Sequence, residues 1–273
     1  MIGDVVGDPG LKVLEERLPG IIADNAVDFA VVNGENAAGG FGLTDATLDR
    51  IIAAGADVVT SGNHVWEKRE FWQTLQASDR VLRPANYPGS AAGRGWLHVQ
   101  KAGTSWVVVN VQGREHMTPI DCPFRRLDEI IANLDGSSDG GPPADNGPAI
   151  PTGVLPIVMV DFHAESSREK EALAYHVDGR ATLLAGTHTH IQTADERLLP
   201  RGTAYITDLG MTGIHDSVIG MDIGICLDRT RKQVLYRMEP ALPPPGGGDG
   251  ARVSGILAEI DAESGRAVAI RRL

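Results

Sequence analysis

What most constrains this chain is a unit that recurs five times. A short apolar run reaches a tight, often glycine-bearing turn, and a residue able to ligate a metal follows at once. Residues 1–6 carry Gly3-Asp4, and Phe29 to Asn33 runs into Gly34-Glu35-Asn36. Val58 to Ser61 runs into Gly62-Asn63-His64, and Pro156 to Asp161 into Phe162-His163. Leu183 to Ala185 runs into Gly186-Thr-His188-Thr-His190. Such runs read as buried strands. In open α/β sheets, sites assemble at the carboxyl ends of the strands, so five segments can aim polar groups at one rim.

Helical stretches separate these runs. The pattern predicts helices over 11–25, weakened by Pro19-Gly20, over 45–54, capped by Thr44 and closed at Gly55, over 66–76 and over 124–134. Ser166-x-x-Glu169 reads as a capping box opening a further helix that stops near Gly179. Strands are predicted at 96–100, 105–111 and Thr203 to Thr207, and a hairpin over 253–273 turning at Asp261 to Gly265. The alternation predicts an α/β fold with strands in the core and helices outside.

The 273 residues are read as one domain, 1–273, with flexible loops at 135–153 and 242–251, both rich in glycine and proline. A formal net charge of −11 argues against a long basic face for duplex nucleic acid. A small anion is still an acceptable partner, because bound metal inverts the local field. No stretch of about 18 apolar residues exists, so no membrane partner is expected. The start carries no basic leader, and Cys122 and Cys226 form no CxxC pair. A cytoplasmic protein with free thiols is the expectation. The sequence is compatible with a homo-oligomer and does not fix one.

The candidate metal ligands are Asp4, Glu35, Asn36, Asn63, His163, His188 and His190. Imidazoles suit zinc, iron, copper and nickel, and carboxylates suit harder ions such as manganese. Glu35 has two oxygens and can bridge two ions. His188 and His190, two apart on an extended or turning segment, can reach different ions. Two divalent ions on this set leave a net charge of about +2, which favours a phosphate ester. His98, His116 and His176 lack ligand spacing. Asp161 and Glu165 flank His163 and can support it. His215 is a weaker candidate for the site's surroundings. Trp66 reads as core packing before nucleobase stacking.

These motifs resemble the calcineurin-like metallophosphoesterases. Gly3-Asp4-Val-Val-Gly7, Asn33-Gly-Glu35-Asn36, Ser61-Gly-Asn63-His64 and Gly186-Thr-His188-Thr-His190 carry the likeness. Arg83-Pro-Ala-Asn86-Tyr-Pro88, Asp161-Phe-His163-Ala-Glu165, Thr193-Ala-Asp-Glu196 and Gly210-Met-Thr-Gly213 extend it to the YmdB-like branch, described as 2′,3′-cyclic-nucleotide 2′-phosphodiesterases. The resemblance implies a β-sandwich flanked by helices and two metal ions, iron or manganese before zinc. Asp4, Asn36 and His190 would hold the first ion, Asn63, His163 and His188 the second, and Glu35 would bridge them. Val6 stands where the wider superfamily carries a histidine, which leaves the first ion one imidazole short. With three residues before Asp4, the first strand is expected to be short.

The implied chemistry is attack on phosphorus by a hydroxide shared between the ions, with His64 as catalytic proton donor to the leaving oxygen. A 2′,3′-cyclic nucleotide would open to a 3′-nucleotide. Two alternatives stand beside it: a phosphomonoesterase or phosphoprotein phosphatase, and a low-turnover metal-bearing regulatory protein.

Overall fold

The central strands are apolar at nearly every position, so both faces of the main sheet must be covered. A computed structural model describes residues 1–134, 155–243 and 250–273. The main sheet joins β4 (Trp96–Lys101), β5 (Thr104–Gln112), β6 (Ile157–His163), β7 (Leu183–Thr187), β9 (Ala204–Ile206) and β8 (Arg197–Leu198), in that order. The β5–β6–β7–β9 run is parallel, and β4 and β8 are antiparallel edges.

A second layer faces it. It contains β2 (Val31–Asn33) parallel to β3 (Val58–Thr60), and β1 (Asp4–Val5) between β2 and β10 (Met211–Ile214). It also contains β11 (Ala251–Arg252) and the hairpin of β12 (Ile256–Asp261) and β13 (Arg266–Arg272). Ile2 ties these pieces together: its N–H donates to Val31 O at 2.8 Å and its carbonyl accepts from Asn33 N at 3.0 Å. Gly3 donates on the other side to Ser254 O.

Odd and even residues of β5 serve different cores. Val107, Val109 and Val111 pack outward with Val158, Val160 and Phe162 under α4 (Pro123–Leu134) and α5 (Ser167–Val177). Trp106 and Val108 pack inward with Met159, Leu183, Val31 and Val58, which fills the space between the sheets. On the far side, α1 (Gly7–Asp24), α2 (Asp45–Ala53) and α3 (Trp72–Ala77) cover Ile2, Val5, Val32 and Val59. The order helix–sheet–sheet–helix is the expected layering.

Differences from the sequence reading are local. Helix α1 begins at Gly7, four residues before the predicted start, and passes through Pro19. Proline costs a helix interior about 3 kcal/mol, but burying Leu11, Leu14 and Leu18 contributes about 1.5–3 kcal/mol each. The helix predicted over 66–76 is shorter: a 3₁₀ turn at Arg69–Phe71 leads into α3. The turn before it is held by Glu67 N donating to His64 O. The capping box at Ser166 is half formed. Ser166 Oγ accepts from Glu169 N, but the Glu169 carboxylate accepts from Arg114 and Glu115 N–H instead. The full box is at Thr44 with Thr47.

Helix α6 (Ile223–Lys232) and strands β8, β10 and β11 are not among the predicted elements. The loop 135–153 lies outside the described residues, as do 244–249 of the segment 242–251. Ala251, at the end of that segment, is not loop: it pairs with Ile214. Cys122 and Cys226 are free thiols. Among the described residues no helix is long and apolar enough to cross a membrane.

Candidate metal centre

Asp4 is in β1, and each other predicted ligand sits at or just past the carboxyl end of a strand: Glu35 and Asn36 after β2, Asn63 after β3, His163 closing β6, and His188 and His190 after β7. The two layers therefore meet at one rim. Gly3 lets the first strand approach, since a side chain there would collide with Gly210 O.

A polar layer lies beneath the rim. Asp161 accepts from Thr60 Oγ1, from Asn33 Nδ2 at 2.9 Å and from Thr187 Oγ1 at 2.7 Å, and all of these residues are buried. Thr187 Oγ1 also lies 2.9 Å from His163 Nδ1. Because that hydroxyl gives its proton to Asp161, it accepts from His163 Nδ1–H. The tautomer of the neutral ring is thereby set, with the Nε2 lone pair facing the rim.

Three lone-pair atoms surround that nitrogen. Glu35 Oε1 is at 3.0 Å, Asn63 Oδ1 at 3.1 Å and His188 Nδ1 at 3.0 Å. The donors of Glu35, His163 and His188 lie within 4.8 Å of one another. Once His163 is neutral, these are four acceptors with no donor among them, an arrangement that suits a cation. Asp4 Oδ1 and Asn36 Oδ1 are buried and make no hydrogen bond among the described residues, and Asp4 Oδ1 lies 3.8 Å from His163 Nδ1. Unsatisfied buried oxygens of this kind are rare and costly. His190 lies beside them: its Nδ1–H donates to Ile219 O at 2.8 Å, and its Nε2 accepts from Asn36 Nδ2 at 2.9 Å. These residues fit the donor set of a metal centre.

The turn that carries His188 and His190 is strained. Their φ angles are 100° and 67°, in the left-handed region that non-glycine residues rarely adopt. Asp208 holds it in place, accepting from Thr189 N and Thr189 Oγ1 at 3.1 and 2.8 Å and from Gly210 N at 2.8 Å.

The charges of the metal-free protein reflect this crowding. Burial pushes the Asp4 carboxyl up to about 6, against His190 and His163. Burial also raises Glu35, but the charge and hydrogen bond of His163, then His64 and His188, take it down to about 2. Burial opposes a charged His163, yet Glu35, Asp4 and Asp161 raise it to about 9. His188 is lowered to about 3, by burial and then by the charge of His163.

His64 sits at the edge of the cluster. Its N–H donates to Glu35 Oε2 at 3.3 Å, its Nδ1 is 3.4 Å from Glu67 Oε1, and Phe41 packs edge-on against its ring. Glu165 reaches His188 Nε2 at 3.2 Å. His215 turns to Met211 O and Ser254, and His98 and His176 make contacts elsewhere. Trp66 packs edge-on against Trp72 and Tyr87. Sequence reasoning missed Asn33, Thr60, Lys170 and Asp208. Asn33 and Thr60 had a signal, since both adjoin recognised motifs. Lys170 and Asp208 had none.

The chain resembles known proteins along its whole length. The model of the YmdB-like protein family matches residues 1–273. The chain is 39% identical to the 2′,3′-cyclic-nucleotide 2′-phosphodiesterase of Bacillus subtilis (strain 168), covering 100% of this chain and 94% of that one. The crystal structure of a hypothetical protein from Thermus thermophilus superposes with a TM-score of 0.85 at 36% identity, covering 100% of this chain and 96% of the other. That of a novel phosphatase from Mycoplasma pneumoniae gives 0.86 at 27% identity, covering 100% and 90%. The chain belongs to the YmdB-like family.

Proposed function

We propose that this chain is a metal-dependent phosphodiesterase that hydrolyses small phosphoesters, 2′,3′-cyclic nucleotides foremost, to 3′-nucleotides. One observation carries the reading: Glu35, Asn63 and His188 crowd lone-pair atoms around His163 Nε2, and the buried Asp4 Oδ1 and Asn36 Oδ1 make no hydrogen bond among the described residues. The fit favours two cations. Asn63, His163 and His188 would hold one, Asp4, Asn36 and His190 the other, and Glu35 would serve both. Iron, manganese or zinc is compatible with this set. When bound, such ions supply Lewis acidity toward a phosphoryl group and make water acidic enough to react near neutral pH.

The chain's own residues supply the rest. Two carboxylates against two divalent ions would leave a positive rim that favours a phosphate ester. With Nδ1 turned toward Glu67, His64 would give a proton from Nε2 to the departing ribose oxygen. We read residues 1–273 as one domain serving this one site.

Elemental analysis of the purified protein should find about two ions per chain. Activity toward 2′,3′-cyclic AMP should be lost on chelation and return on metal addition. It should exceed activity toward 3′,5′-cyclic AMP and p-nitrophenyl phosphate. Preference for p-nitrophenyl phosphate would establish the second reading, a phosphomonoesterase, which the likeness to the Mycoplasma pneumoniae phosphatase favours. His64→Ala should lower turnover about 10²–10⁴-fold with metal content intact. Loss of metal in that variant would make His64 a ligand and remove it as proton donor.

A further inference from the structure

The inward-facing ends of β5, β6 and β7 form one row: Gln112, His163, Thr187. Register partners in a parallel sheet project from the same face, so Gln112 stands directly beside His163. The proposed metal centre accounts for His163 and Thr187. It does not use Gln112.

Gln112 is fully buried. Asn86 clamps its backbone from both sides, accepting from Gln112 N at 2.9 Å and donating to Gln112 O at 2.8 Å. The side chain makes one hydrogen bond among the described residues, accepting at Oε1 from Tyr87 OH at 3.2 Å. Its Nε2 has no partner there. Reversing the amide would orphan the other end instead. A half-satisfied buried amide is costly where an apolar side chain would pack without penalty. Holding the Tyr87 hydroxyl is therefore the polar work that this amide does.

Tyr87 is half-buried and packs against Trp66, two residues beyond His64, with ring centroids 5.4 Å apart. Burial raises its phenol above the usual range, and the charge of Glu35 also reaches it. The ring is thus neutral and within the field of the proposed ligands. Its O–H is committed to Gln112 and Trp66 also hydrogen-bonds the phenol oxygen, which leaves that oxygen one lone pair for a further donor.

We propose that Tyr87 is the contact for a sugar hydroxyl of the substrate, and that Gln112 is the positioning residue that fixes it. This rests on the phosphodiesterase reading above. The cations would hold the phosphoryl group, and the phenol oxygen would accept a hydrogen bond from the alcohol portion. A phosphodiester without a hydroxyl gains nothing there.

The test compares 2′,3′-cyclic AMP, whose sugar keeps a free 5′ hydroxyl, with bis-p-nitrophenyl phosphate, which has none. Rates are normalised to bound metal. In Tyr87→Phe the ratio of kcat/KM for the nucleotide to that for the aryl diester should fall about tenfold, the size of one lost hydrogen bond, through KM and not kcat. Gln112→Met should shift the ratio in the same direction. The double variant should be no worse than Tyr87→Phe, because Gln112 acts through Tyr87. A ratio unchanged within about twofold in Tyr87→Phe overturns the contact. A further fall when Gln112→Met is added to Tyr87→Phe overturns the positioning role. Absence of turnover of both substrates by metal-loaded wild type overturns the phosphodiesterase reading itself, a result distinct from either.

Discussion

The Lys170 ammonium lies 2.7 Å from the Asp208 carboxylate, and both side chains are closed off from solvent. Asp208 also braces the strained His188–His190 turn through Thr189. Removing one partner of a buried pair leaves an uncompensated charge, at a cost of about 3–5 kcal/mol. Lys170→Met should lose about that much stability in urea titration and should also bind metal more weakly. A loss under about 1 kcal/mol with unchanged metal affinity would show that the turn stands without the pair.

Thr187 sets the His163 tautomer. Thr187→Val keeps the shape and removes the hydroxyl that joins His163 to Asp161. Loss of such a supporting partner typically weakens metal binding about 10–100-fold. Competition with a chelator of known affinity measures it. Equal affinity in variant and wild type would show that His163 orients without Thr187.

Gly62 leaves room for the centre. A methyl group there would collide with His163 Nε2 and Glu35 Oε2. Gly62→Ala should therefore empty the site while the variant melts near metal-free wild type. Full metal occupancy in Gly62→Ala would show that the rim rearranges freely.

Metal binding should release protons. His163 is raised to about 9, so it carries a proton at pH 7 in the metal-free protein and must lose it to ligate. Titration calorimetry at pH 7 in buffers of different ionisation enthalpy should report net release of about one proton from this site. The sign for stability follows from the raised value. The His163 contribution is fully present below its unfolded value of 6.5 and is lost as pH rises through about 9. Metal-free protein should thus weaken over that window, and saturating metal should cancel the loss. A buffer-independent enthalpy would contradict a charged His163.

The strand ends were legible in the sequence because each places its polar residue immediately after an apolar run. Glu35, Asn63, His163 and His188 come together as that pattern predicts. Helix α6 was not legible, because it buries only Cys226 and so shows no apolar stripe. Strand β10 was not, because its partner β1 lies at the other end of the chain. Lys170 and Asp208 are 38 residues apart, and no local pattern signals that they meet. The Ser166 capping box misled because Glu169 finds two better donors in a distant loop.

The proposed ligands divide sharply along the chain. Carboxylates and amides all fall at or before Asn63, and imidazoles all at or after His163. A nascent polypeptide halted at mid-length would hold every anionic ligand and no histidine of the set. Cation loading of the full proposed set would then be a late event, awaiting synthesis of residue 190 and the meeting of the two sheets. Metal content would serve as a readout of completed assembly.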